Sequence, residues 1–346
     1  MEELFVEQFM DYILEQLQAL LAIDSPSGFT AGAADYLLEE YRRLGFQPEK
    51  TKKGGVLVSL GGAGNAVLLM AHADTLGAVV AEIKPNGHLR IAPVGGLNAN
   101  NIETENCRIR TLDGRCYDGT VQLTDASTHV NGDYQNTQRS FQSIEVLLDA
   151  DADSKEAVRA LGITNGAFVC IEPRTRITES GYIKSRFLDD KLSTAILLGY
   201  AKYIKESGIT PARRIYQHIT VCEEIGHGGC ASVPADVEEL LSVDMGCVGS
   251  GLECTEKQVS ICVKDSRGPY HYDVVRALIR AAEKNGILYA ADVYPFYGSD
   301  ADAALSAGVD ARHGLIGPGV YASHGYERSH KEGIKNTFRL LQAYLG

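Results

Sequence analysis

A mixed α/β fold interrupted by a small all-β unit is what the 346 residues predict, and three observations carry that expectation. Apolar runs such as AVLLMAHAD and RIYQHITVCEE stop abruptly at polar residues and alternate with helical patterns, the texture of a sheet covered on both faces. Between about residues 77 and 173 this alternation gives way to the turn dipeptides Asn86-Gly87, Gly95-Gly96, Asp113-Gly114, Asp118-Gly119 and Asn131-Gly132, separated by short strand-like segments. Neither flank holds enough strands for a sheet of its own. One discontinuous α/β domain (1–76 and 174–346) carrying an inserted β-rich domain (77–173) therefore explains the order better than two consecutive domains.

The elements follow from local pattern. Over residues 2–23, Phe5, Phe9, Ile13, Leu17 and Leu20 or Leu21 recur at three- and four-residue steps, which buries one helical face until DSPSG ends the helix. A second helix over about 31–44 leads into the strands GVLVSL and AVLLMAHAD. Within the β insertion SKEAVRAL reads as a short helix, with Asp153 and Glu156 spaced as a capping box and Gly162 as the stop. Beyond Ser185 come the helix DDKLSTAILLGYAKYIKE, the strands RIYQHITVCEE and LLSVDMGCVG, the helix YDVVRALIRAAEKNG, the strand LYAADVYPF and the closing helix ERSHKEGIKNTFRLLQAYL.

Composition removes several function classes. A formal charge of −12 with no clustered lysine or arginine argues against a nucleic-acid surface. No apolar run approaches the roughly 20 residues needed to span a bilayer, and the acidic start lacks the basic region and cleavage site of a secretion signal, so a cytoplasmic protein is expected. The eight cysteines include no C-x-x-C pair, and several lie in apolar runs, which favours buried free thiols over a disulfide framework.

Functional groups of open α/β sheets collect where strands end at their carboxyl edge. Here His72 and Asp74 follow AVLLMA, Glu223 and Glu224 follow HITVC, Asp244 ends LLSV, Asp190 opens a helix and His324 follows GLIGPGVYAS. Each has a plain explanation alone: a hydrogen-bonded surface histidine, an N-cap for Asp189 and Asp190, a solvated strand end for the glutamates. Asp244, isolated in an apolar run, is the hardest to dismiss. Adjacent glutamates on an extended segment point to opposite faces and would repel unless something positive holds one. Two divalent cations would neutralise the set, and two histidines with carboxylate oxygens suit zinc or a neighbouring first-row ion. A bridging carboxylate, a water nucleophile and a free carboxylate as its base would make a hydrolase.

In order, AHADTLG, FLDDKLSTA, EEIGHGG, SVDMG and YASHGYE resemble the dinuclear metallo-aminopeptidases that include the glutamyl, deblocking and tetrahedral (TET) enzymes, over essentially the whole chain. The resemblance implies a mixed-sheet α/β/α metallopeptidase domain with an inserted, barrel-like dimerisation domain, two cations per subunit (zinc or cobalt), and removal of N-terminal residues from short peptides. It implies that His72 and Asp244 hold one cation, Glu224 and His324 the other, and Asp190 both. Asp74 would orient His72, and Glu223 would be the general base. It also implies homo-oligomers, dimers assembling into twelve-subunit shells.

Three departures stand out. Two residues, Ala322 and Ser323, separate Tyr321 from His324 where the family pattern has one; His324 remains the candidate ligand, with His330 and His313 as the substitutes behind it. Thr75 stands where an acid is common, and His227 sits in the glycine-rich turn, so no glutamyl preference is assigned. Asp300 and Asp302, in YGSDADAALSAG, are substrate-side candidates or simply helix caps. A related carboxypeptidase or aminoacylase shares the ligand chemistry. A glycoside hydrolase would leave His72, His324 and Asp244 unexplained, and a non-catalytic assembly protein would leave the ligand set without purpose.

Overall fold

A computed structural model describes residues 2–346, with side chains from residue 7 onward; Phe5 lies outside the described side chains. Contacts divide the chain into two compact units: one holds the residues up to Asp74 together with Arg174–Gly346, the other is Thr75–Pro173.

The larger unit is built on a mixed sheet. At its centre the strands Arg214–Thr220, Ala66–His72, Val237–Val243 and Arg312–Tyr321 run parallel side by side. Ala66–His72 is buried throughout, as its unbroken apolar sequence requires of a strand covered on both faces. Register fixes the site: Thr220 pairs with His72 and Ser242 with Met70, so the chain leaves three strands at one edge and one level. Arg312–Tyr321 is longer, pairs Ile316 with Val243, and runs five residues further before turning.

Helices cover the sheet. Glu2–Leu21 presents Phe9, Ile13, Leu17 and Leu20, all fully buried, to Leu188–Ser207. The two are pinned by Lys191, whose buried ammonium donates to Leu20 O (2.9 Å) and Ile23 O (2.7 Å), a cation placed at the carbonyl end of the first helix. Asp189 and Asp190 do not cap that second helix. They have non-helical backbone angles inside its first turn, joined by a cis peptide, and no side-chain cap bond is made there.

The closing segment also differs from its sequence pattern. Glu327–His330 is a strand paired antiparallel with Tyr182–Ser185, and the helix is Lys331–Leu345 with His330 accepting from Glu332 N. Pairing Glu327 with Ser185 overrides the helical periodicity and brings Glu327 beside the segment leading to Asp189.

The smaller unit is a closed six-stranded barrel, in order Gly77–Ile83, Leu89–Val94, Ile144–Leu148, Cys116–Leu123, Asn106–Arg110, Phe168–Ile171. Its alternating inward residues, among them Val80, Ile91, Ile109, Val121, Val146 and Val169, fill the interior. The short helix Lys155–Ala160 is capped by Ser154, which accepts from Ala157 N, rather than by Asp153; Gly162, at φ 82°, ends it as its sequence suggests. All eight cysteines are free thiols.

Candidate active site

The strand ends deliver their polar residues to one place. The His72 imidazole is 1% exposed; its Nδ1 lies 3.0 Å from Asp74 O, leaving Nε2 to face Asp189 Oδ1 at 3.1 Å and Glu223 Oε2 at 3.9 Å. The Asp74 carboxylate stands 3.6 Å from His72 Nδ1 and is itself fixed by the Ser27 hydroxyl and by Glu223 N (3.2 Å). His72, Asp190 and Asp244 offer ligand atoms within 4.8 Å of one another, and so do His72, Asp189 and Glu224.

His324 belongs to the same cluster despite its longer spacing from Tyr321. Ala322 and His324 take left-handed backbone angles (φ 59° and 62°), which folds the extra residue into a tight turn. That places His324 Nε2 3.5 Å from both Asp189 Oδ2 and Glu224 Oε2. His313 and His330 are held outside the cluster: His313 packs at a tilt against Tyr270 with Nε2 3.8 Å from Asp302 Oδ1, and His330 bonds Ser180 O and Glu332 N.

Of the two adjacent aspartates, Asp189 rather than Asp190 lies between the imidazoles. It lines a cavity of about 680 Å³ together with Glu223, Glu224, Asp244 and His324. Asp190 is 0% exposed and turns inward to accept from His72 N at 3.3 Å. Glu327, three residues after His324, is a site residue its sequence hides. Buried at 2% exposure, it accepts from Asp189 N through one oxygen and His324 N through the other, both at 3.0 Å, and so braces two loops at once.

Glu223 and Glu224 do not lie on an extended segment. The strand ends at Thr220, and the pair occupies a turn closed by Gly226 N to Glu223 O (2.6 Å) and His227 N to Cys222 O (3.1 Å), so both acids face the cavity. Strand alternation therefore does not separate them. Two anchors hold the turn: Lys53 donates to His227 O and Gly228 O, and Asp300 accepts from Gly229 N (2.6 Å) and from the Thr220 hydroxyl. A Cβ on Gly228 would stand 2.3 Å from Asp300 Oδ1, and one on Gly229 2.1 Å from Asp300 O, which explains both glycines. Asp300 is thus a brace, while Asp302 forms a true capping box with Ser299 and also lines the cavity.

The charges demand compensation. Burial, then neighbouring acids, pushes Asp190, Glu223 and Glu224 well above the carboxylate range and Asp244 up to about 7. Burial opposes ionisation of Asp189 too, yet its bonds to His324 and His72 hold it below that range. Burial likewise disfavours His72 as a cation, but bonds to Asp189 and Asp74 raise it well above its ordinary value. Five carboxylates around two imidazoles, a mixed nitrogen and oxygen donor set, fit divalent cations of the zinc type.

Known proteins show the same arrangement of sequence and fold. The profile of the M42 glutamyl aminopeptidase family matches residues 54–340. The chain is 42% identical over 334 residues to the YhfE protein of Bacillus subtilis (strain 168), covering 96% of each. It belongs to the M42 family. Among solved structures, a TET aminopeptidase from the marine sediment archaeon Thaumarchaeota archaeon SCGC AB-539-E09 superposes at TM-score 0.87 with 18% identity, over 96% of this chain and 95% of that one. The Pyrococcus horikoshii TET1 peptidase, described as assembling into a tetrahedron or a large octahedral shell, gives 0.85 with 21% identity over 96% and 98%. This M42 protein is accordingly a metal-dependent aminopeptidase, and the glycoside hydrolase and scaffold alternatives are not favoured.

Proposed function

We propose that the enzyme removes N-terminal residues from short, unblocked peptides using two divalent cations, with zinc or cobalt best suited to the donor set. His72 and Asp244 would hold one cation and Glu224 and His324 the other. Asp189, in place of Asp190, would serve both, because its two oxygens face His72 (3.1 Å) and His324 (3.5 Å) separately. That division is the single observation that carries the reading. When bound, the cations polarise the scissile carbonyl and make the attacking water more acidic.

The protein's residues do the remainder. Glu223 faces the cavity with its backbone tied to Asp74, in position to take a proton from water and return it to the leaving amine. Asp74 O receives the Nδ1 proton of His72 and keeps Nε2 directed at the cluster, while Ser27 and Glu223 N fix the Asp74 carboxylate behind it. Asp190 accepts from His72 N and so holds the strand end. Glu327 fixes the backbone of Asp189 and His324.

The barrel is our candidate for dimerisation, and assembly of dimers into a twelve-subunit shell is proposed with it, supported by the likeness to TET structures described as a dodecamer and as a tetrahedron or octahedral shell. Among the described residues no helix is long and apolar enough to cross a membrane, which accords with a cytoplasmic enzyme. The test is a panel of aminoacyl chromogenic substrates and short peptides, free and N-acetylated, with and without chelator. Release from free amino termini that chelation abolishes and zinc or cobalt restores supports the reading. Chelator-insensitive cleavage, or cleavage from the carboxyl end, contradicts it.

A further inference from the structure

Arg267 is the one lysine or arginine among the described residues that line the cavity, and it has no ion-pair partner among them. Its backbone is fixed. Arg267 N and Gly268 N donate to Asp265 Oδ1 (2.8 and 3.3 Å), and the fully buried Asp265 is held in turn by Tyr270 OH at 2.8 Å. Ser266 N donates to Tyr297 O (3.2 Å), and the Tyr297 hydroxyl donates to Met245 O (2.9 Å), next to Asp244. Tyr297 therefore links, through its backbone carbonyl and its hydroxyl, the wall that carries Arg267 to the floor that carries the clustered carboxylates.

The Arg267 side chain passes close to that wall: a Cβ built on Gly298 would lie 3.9 Å from Arg267 Nε, and both residues line the cavity. Arg267 is exposed, as is Phe296 at 93%, whereas Asp189, Glu224 and Asp244 lie deep. Arg267 thus stands at the mouth of a cavity whose floor is acidic. An acidic floor repels carboxylates from the bottom, and a guanidinium attracts one, bidentately, at the mouth.

We infer that Arg267 binds the C-terminal carboxylate of a di- or tripeptide whose amino end lies at the floor, an inference that rests on the aminopeptidase reading. One or two extended residues beyond the first span about 3.5–7 Å, so the carboxyl end of a di- or tripeptide lies outside the floor that holds its amino end. The first side chain starts from the floor. The carboxyl end starts further out, at the depth of an exposed guanidinium.

The experiment compares kcat/KM for Ala-Ala, Ala-Ala-amide, Ala-p-nitroanilide and Glu-p-nitroanilide in the metal-loaded wild-type enzyme, Arg267→Gln and Arg267→Lys. The wild type should prefer the free acid to the amide. Arg267→Gln should cut that preference about tenfold, the size of one partly solvated charge-assisted contact, through KM rather than kcat, and Arg267→Lys should restore part of it. An acid-to-amide ratio that Arg267→Gln leaves unchanged overturns the inference, as does an equal loss on all four substrates. A loss confined to Glu-p-nitroanilide also overturns it, assigning the guanidinium to an acidic first side chain. Wild-type enzyme that cleaves peptides but ignores their carboxyl end sinks the inference alone; wild-type enzyme that cleaves none of the four sinks the aminopeptidase reading as well.

Discussion

Replacing Gly229 with alanine tests whether the turn after the glutamate pair is held by close approach to Asp300. The added Cβ would lie 2.1 Å from Asp300 O, 2.8 Å from its carbonyl carbon and 3.1 Å from its Cα, all backbone atoms that cannot swing aside. Opening the shortest contact to 3.0 Å separates the two segments by about 0.9 Å, which lengthens the 2.6 Å bond from Gly229 N to Asp300 Oδ1 beyond hydrogen-bonding range. Glu223 and Glu224 lie five or six residues upstream in the same turn. A shift of about 1 Å in a reacting group costs on the order of 100-fold in rate, and overpacking of this kind costs about 1–3 kcal/mol of stability. The assay is kcat on an aminoacyl nitroanilide, with folding checked by thermal melting and metal content measured on the same sample. A folded, metal-loaded Gly229→Ala enzyme that keeps kcat within threefold of wild type would show that close approach to Asp300 does not position the glutamates.

The other predictions concern the braces and one buried histidine. Asp189→Asn should leave at most one tightly bound cation per chain, whereas Asp190→Asn should weaken binding only about 10- to 100-fold, as loss of a supporting contact does; metal titration of each variant distinguishes them. Glu327→Gln turns one acceptor into an amide facing a backbone N–H. It should destabilise the fold by about 1–3 kcal/mol in denaturant titrations and weaken metal binding about 10- to 100-fold. His218 is buried without a partner for Nδ1, and burial, then Lys53, lowers its pKa to about 4. The unfolded chain binds this proton near pH 6.5 and the folded one only near 4, so stability falls as pH drops through that window, by about 2 kcal/mol between pH 7 and 5. His218→Gln should flatten that part of the pH dependence, as measured by denaturant unfolding at the two pH values.

Much of the fold was legible because its signals are local. Burial of both sheet faces shows in AVLLMA, and the barrel shows in closely spaced turn dipeptides. The strand-end rule located His72, Asp74, the glutamates and Asp244, because parallel register brings those ends level. What it could not resolve were choices set by backbone geometry over one or two residues. The resemblance assigns the shared position to Asp190, whereas the non-helical turn sets Asp189 between the two imidazoles. Strand alternation would part the roles of the two glutamates, but the strand ends at Thr220 and the chain turns before it reaches them. Glu327 was hidden because ERSH, adjoining a long helical pattern, reads as helix until tertiary pairing with Tyr182–Ser185 claims it. Arg267 offered no signal at all, since its setting depends on Asp265, Tyr297 and Gly298 together.

The paired glutamates divide between a proton carrier and a ligand, and metal content measured alongside turnover in Glu223→Gln is the sharpest test of that division. Glu223→Gln should retain two cations per chain with kcat reduced about 10²- to 10⁴-fold, while Glu224→Gln should lose a cation. Metal loss from Glu223→Gln equal to that from Glu224→Gln, or near-normal turnover without Glu223, would contradict it.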